Sequence, residues 1–183
     1  MRPTYQLNDR QVTALLTPPT MNDRVNFRAG GTAEIIETIL KADRAAASNV
    51  RQLARSMETN DEMQTLLNVW HFTRNRIQYR SDRPGREQIK MPSRLWHEGR
   101  GDCKSKSLFI GACCRVLGIE YGYRFAAYRA GDFTHVYPVA RIGGQIIIVD
   151  SVHTVFNQEV TFRNAKTIWM TENKIAGLSG ISL

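Results

Sequence analysis

Two β-patterned runs, "THVYPVARI" (Thr134 to Ile142) and "QIIIVDS" (Gln145 to Ser151), meet across Gly143-Gly144. No other feature of the chain restricts its fold as tightly. Adjacent glycines supply the positive φ angles that a two-residue hairpin requires at both central positions. With a two-residue turn, facing positions carry numbers that sum to 287, so Ile142 faces Gln145, Tyr137 faces Asp150 and His135 faces Val152. Side chains alternate along each strand, which puts His135, Tyr137, Ile148, Asp150 and Val152 on one face. His135 and Asp150 become diagonal neighbours within reach of a carboxylate-imidazole hydrogen bond, and His153 points the other way. Asp150 also ends the apolar run Ile146 to Val149, where a carboxylate without a donor is expensive to bury.

The rest of the chain is helical before it is sheet-like. From Thr32, "TAEIIETILKADRAAASNVRQLARSMETNDEMQTLLNVWHFTRNRI" is rich in helix formers, with Ile35, Ile36, Ile39 and Leu40 spaced for one face. A break is expected over Ser56 to Asp61. Asn60 or Asp61 then caps a further helix whose Met63, Leu66, Leu67, Trp70 stripe reads as core. "IQYRSDRPGREQIKMPSRLW" is a polar, proline-bearing connection, irregular in character. "YGYRFAAYRA" (Tyr121 to Ala130) adds a strand, and the tail from Val160 is expected to add another strand and a short helix. At 183 residues the chain suits one domain. "TPPT" and "AGG" mark residues 1–31 as an extended N-terminal arm. Residues 32–183 form the domain, helical over 32–118 and sheet over 119–183. Helices packed against an antiparallel sheet make the class α+β.

"GRGDCKSKSLFIGACCRVLGIE" joins the two halves. Leu108, Ala112 and Leu117, with Phe109, Cys113 and Val116, predict an amphipathic helix that stops at Gly118 and is capped by Asp102. Cys103 therefore stands at the helix N-terminus, where the helix dipole and unpaired N–H groups favour a thiolate, with Lys104 and Lys106 adding to the effect. Cys113 and Cys114 fall inside the helix as inert hydrophobes. Three cysteines, two of them adjacent, form neither a disulfide framework nor a Cys-x-x-Cys zinc site. A thiol nucleophile needs a base and the base an orienting group, and His135 with Asp150 answers that need.

Four segments together, "IQYRSD", "GRGDCKSKSLFIGACCRVLGI", "THVYPV" and "IIIVDS", resemble the transglutaminase-like superfamily of papain-like fold over about Leu67 to Val152. The resemblance implies Cys103 as nucleophile, His135 as general base and acid, and Asp150 as the residue that fixes the imidazole tautomer. Many family members carry an aromatic close behind the histidine in a "HAW"-like context, whereas this chain has Tyr137 and Pro138 there. The implied chemistry is acyl transfer through a thioester on protein or peptide amides, without metal or organic cofactor. The backbone N–H of Cys103 is the first oxyanion donor. A second is sought upstream among Gln88, Trp96 and Tyr79, with Trp96 also readable as a core aromatic. A single compact domain favours a cysteine peptidase or amidohydrolase over a cross-linking transglutaminase.

A non-enzymatic binding role is the remaining alternative. The net charge is +8, and between His71 and Lys106 ten basic residues stand against four acidic ones, which attracts acidic partners or nucleic acid. No nucleic-acid module accompanies the charge, so a solvated rim is the preferred reading. Arg100-Gly101-Asp102 spells a cell-adhesion tripeptide, but its aspartate is better explained as a helix cap. No apolar run approaches the roughly 18 residues of a membrane span, and "MRPTYQLNDR" lacks a signal-peptide core. A bacterial or phage source suits a small basic chain of this kind, with a cytoplasmic location expected, or a virion-associated one for a phage.

Overall fold

The computed structural model describes residues 2–27, 31–83 and 87–170. Five helices, α1 (Asp9–Leu15), α2 (Thr32–Ser56), α3 (Glu62–Arg76), α4 (Pro92–Glu98) and α5 (Cys103–Leu117), precede the main sheet. That sheet is antiparallel and has the order β7-β6-β5-β8, from β5 (Glu120–Ala127), β6 (His135–Ile142), β7 (Gln145–Ile148) and β8 (Asn164–Trp169). Two small ladders accompany it. β1 (Arg24–Phe27) pairs antiparallel with β3 (Glu87–Lys90), and β2 (Gln78–Tyr79) pairs parallel with β4 (Arg100–Gly101). The fold is α+β, as expected, and no described helix is long and apolar enough to cross a membrane. The short helix expected in the tail lies outside the described residues.

Local chemistry sets the boundaries of these elements. Asp61 caps α3 by accepting from the Met63 amide at 2.8 Å. Gly118 closes α5 in the left-handed conformation with φ 71°. At the hairpin, Gly143 and Gly144 have φ 55° and 81°, the pair of positive angles that matches the twist of the flanking strands.

The hairpin register is the predicted one from Ile142↔Gln145 to Val139↔Ile148, and the Val149 amide extends it by donating to the Pro138 carbonyl. There the ladder stops. Pro138 has no N–H to return to Val149, so that pair stays half-made and β7 ends at Ile148. The direct pairs expected for Asp150 and Val152 are therefore replaced by a turn, in which Asn157 takes over both backbone groups of Ile148.

Three further expectations are revised. Residues 2–27 are not simply extended: Asn8 and Gln11 form a reciprocal capping box that starts α1, and β1 joins β3. The breakers masked that box in the sequence. The connection after Ile77 is likewise ordered into β2, β3 and α4, because Pro92 starts α4 and Gly99 ends it with φ 63°.

The third revision concerns α5. This helix is not amphipathic but central, packed against α2, α3, α4 and the β5–β6 face, and it is buried continuously from Cys103 to Cys114. Its polar residues survive burial because each finds a partner. Lys106 Nζ donates to the Ile77 carbonyl at 2.9 Å, Ser107 to the Val136 carbonyl at 2.9 Å, and Ser105 Oγ accepts from the Lys90 amide at 3.1 Å.

Candidate active site

The site forms where the N-terminus of α5 meets the start of β6. Asp102 caps the helix, its carboxylate accepting from the Ser105 amide at 3.1 Å, and this fixes Cys103 as the first helical residue. Gly101 is needed just before it. A Cβ there would lie 2.4 Å from Leu95 Cδ1, so a side chain at this position would have to displace the buried Leu95 where β4 passes beneath α4.

His135 opens β6, and its Nε2 lies 2.7 Å from Asp150 Oδ2. Nδ1 is thereby the ring nitrogen that Asp150 leaves unengaged. The second oxygen of Asp150 accepts from the Val152 amide at 2.9 Å, and the Trp70 indole N–H donates to the Asp150 carbonyl at 2.7 Å. The aspartate is thus held from both sides, although its ladder pair with Tyr137 never forms. The His135 ring packs beside Tyr137 and Tyr128, with centroids at 5.3 and 6.1 Å. Tyr137 is buried and donates to Glu159 at 2.7 Å. Tyr128 is the more exposed of the two flanking rings.

A cavity of about 320 Å³ gives access to this group, with Cys103, His135, Phe125, Phe133 and Tyr79 among its lining residues. Of the three proposed second oxyanion donors, only Tyr79 lines it. Trp96 spends its single N–H on Thr13 Oγ1 at 3.0 Å and stacks on Phe72, which is the core reading. Gln88 lines a neighbouring cavity instead.

Burial acts downward on the His135 pKa as the largest influence. Hydrogen bonds and charge from Asp150 and Cys103 outweigh it, and His135 is pushed up to about 10. Its folded-state pKa thus exceeds the ordinary 6.5, so the protonated ring contributes stability in full below about 6.5. That contribution declines as pH rises and is gone past about 10. The gap in melting temperature between the parent and His135→Gln is accordingly expected to be widest below pH 6.5 and to close toward pH 10. A gap that widens with rising pH would contradict the arrangement.

The two lysines expected to assist the thiolate have their direct partners elsewhere. Lys104 sits among three carboxylates, paired with Asp102, with Glu87 at 2.6 Å and with Asp82 at 3.4 Å. Burial opposes its charge, but Asp102 and Glu87 raise its pKa above the ordinary lysine value. Asp82, Glu87 and Asp102 are the one acidic trio of metal-ligating spacing among the described residues, and the Lys104 ammonium already serves as its cation. Lys106 is lowered to about 8 by burial and then by Arg74, against an opposing pull from Asp150.

Sequence reasoning missed Trp70 as a residue of this site, because its helical spacing reads only as core. The available signal was its indole N–H, which needs an acceptor when buried. His153 does not line the cavity, and its buried Nδ1 has no partner among the described residues.

Comparison with known proteins gives one structural likeness and one family match. A solved structure of a candidate cysteine protease from Cytophaga hutchinsonii is similar at 16% identity and a TM-score of 0.41, covering 87% of this chain and 55% of that one. The chain thus spans little more than half the length of that protein. No curated protein matches. The sequence model of the transglutaminase-like superfamily matches residues 51–170, a span that holds Cys103, His135 and Asp150, and the chain belongs to that superfamily.

Proposed function

We propose that the chain is a cysteine amidohydrolase acting on peptide or protein amides, with Cys103, His135 and Asp150 as its catalytic residues. The observation that carries this reading is the 2.7 Å contact of Asp150 with His135, which lines one cavity together with the helix-start Cys103. Cys103 sulfur bonds to the amide carbon and the carbonyl electrons move to oxygen, where the Cys103 backbone N–H receives them. His135 passes its proton to the leaving nitrogen as the C–N bond breaks, leaving a thioester. Water, losing a proton to His135, attacks the thioester and releases the acid and the thiolate. Transglutamination would use an amine at that last step. Hydrolysis is preferred because water needs no binding site of its own.

Reactivity of the thiols provides the direct test. Cys113 and Cys114 are fully buried, and burial pushes the Cys113 thiol well up and Cys114 to about 12. In the folded protein at pH 6, iodoacetamide is therefore expected to modify Cys103 on the order of a hundred times faster than either neighbour. Peptide mapping by mass spectrometry reads the sites, and equal or reversed labelling would overturn the assignment. Incubating the protein with dimethylcasein and a fluorescent amine separates the two outcomes, since hydrolysis releases peptides or carboxylates and cross-linking incorporates the amine.

A further inference from the structure

Among the described residues, the basic excess between His71 and Lys106 separates into engaged and unengaged cations. Arg74 donates to the Val152 carbonyl, Arg76 pairs with Asp9, Lys104 with its three carboxylates, and Lys106 with the Ile77 carbonyl. Lys90 and Arg94 share Glu98. Arg80, Arg83 and Arg100 have no carboxylate within ion-pair distance among the described residues. All three line one polar cavity of about 300 Å³.

That cavity is distinct from the one over Cys103 but adjoins it, because Ser81 and Asp82 line both. Arg24 and Lys90 extend its basic lining, and Arg24 Nε is a buried donor with no partner among the described residues. The two carboxylates of its wall are already neutralised. Glu98 takes Arg24 and Lys90, and Asp82 lies against Lys104. A concave site with three uncompensated guanidinium groups is electrostatically and geometrically suited to an oxyanion.

Resting on the function proposed above, we infer that this cavity is a substrate subsite for an acidic side chain lying next to the amide that Cys103 attacks. A nucleic acid is the poorer occupant. It carries a charge at every residue and needs a basic track, whereas Arg74, Arg76, Lys90, Arg94, Lys104 and Lys106 are engaged within the protein and the wall carries two carboxylates. The volume suits one or two side chains, and the shared Ser81–Asp82 wall sets the acidic group near the reacting bond.

Two measurements test the subsite separately from the chemistry. In the first, fluorescein-labelled hexaglutamate is titrated by anisotropy into the Cys103→Ala protein at low salt, with hexaglutamine and a six-nucleotide DNA strand as comparators. Hexaglutamate is expected to bind at least tenfold tighter than either, and Arg80→Gln/Arg83→Gln/Arg100→Gln to lose at least tenfold. Equal binding by the triple variant, or tighter binding of the DNA strand, would overturn the proposal. In the second, tripeptide chloromethyl ketones carrying glutamate or glutamine at each position in turn alkylate the Cys103 protein. One glutamate position is expected to react about tenfold faster than its glutamine counterpart, and the triple variant to lose that preference while iodoacetamide reacts at the parental rate. No preference at any position would also overturn it. Should iodoacetamide itself spare Cys103, the catalytic reading fails and the anisotropy result still decides whether the cavity takes an acidic peptide. Single Arg83→Gln and Arg100→Gln variants, matched to the parent in melting temperature, keep both tests decisive if the triple variant is unstable.

Discussion

His135→Ala is expected to lower amide hydrolysis by at least about a thousandfold while leaving the fold intact, because the general base and acid is lost at once. The same change at His153 should leave the rate within about twofold, since that ring does not line the Cys103 cavity. Asp150→Asn should fall between them, for a reason specific to this geometry. One Asp150 oxygen accepts from the Val152 amide and the other faces His135 Nε2. An amide that keeps its oxygen on Val152 must present its NH₂ to the imidazole, which turns Nε2 into the acceptor and puts the ring proton on Nδ1. Nδ1 is the nitrogen left for Cys103, and in that tautomer it cannot take the thiol proton. Turning the amide over instead sets NH₂ against the Val152 N–H. Either way the loss should appear in kcat, with KM changed little. Each variant must first match the parent in circular dichroism and remain fully folded at the assay temperature. A folded His135→Ala protein with parental activity would remove the proposed mechanism.

That so much of this geometry is legible in one sequence follows from the hairpin. Period-two alternation and a glycine pair are local signals, and together they put His135 and Asp150 on a shared face before any tertiary information is available. The same reasoning overshoots, because it carries the ladder past Pro138 to Val152, whereas β7 ends at Ile148. A proline's missing N–H is visible in sequence, so that truncation was recoverable. The all-round burial of α5 was not. Lys104, Ser105, Lys106 and Ser107 look like a solvent face by composition, and only their partners at Ile77 just after α3, on β3 and β6 and in the Asp82 loop make them interior residues. Trp70 shows the same limit, since its donation to the Asp150 carbonyl joins residues 80 positions apart. The division of the basic segment into spent and unspent cations is also tertiary, for a charge count contains no partners.

Asp43→Ala is expected to cost about 3–5 kcal/mol of stability, among the largest effects available to a single substitution in this chain. Asp43 stands on α2 with no solvent exposure. It accepts from the Tyr123 hydroxyl at 2.6 Å, from the Tyr121 hydroxyl at 2.7 and 2.8 Å, and from Arg115 Nε at 2.6 Å. One carboxylate therefore ties α2 to β5 and to the far end of the helix that begins at Cys103. Burial, and then the Asp43 charge, hold both tyrosines well above the ordinary value, so they remain donors throughout the stable pH range. Alanine leaves two phenols and a partly buried guanidinium without their acceptor, and the desolvation cost of those orphans dominates the loss. Tyr123 cannot easily swing away, because its hydroxyl fills the notch over Gly111, where a Cβ would lie 2.1 Å from that oxygen. For a domain of this size the cost corresponds to a drop in melting temperature on the order of 10 °C. If orphaned donors are the cause, adding Tyr121→Phe and Tyr123→Phe to Asp43→Ala should recover part of the lost stability, although each removes a hydroxyl. Urea midpoints of the single and triple variants measure both effects. An Asp43→Ala protein within about 1 kcal/mol of the parent, or a triple variant less stable than the single one, would show that this carboxylate does not hold the back of the site together.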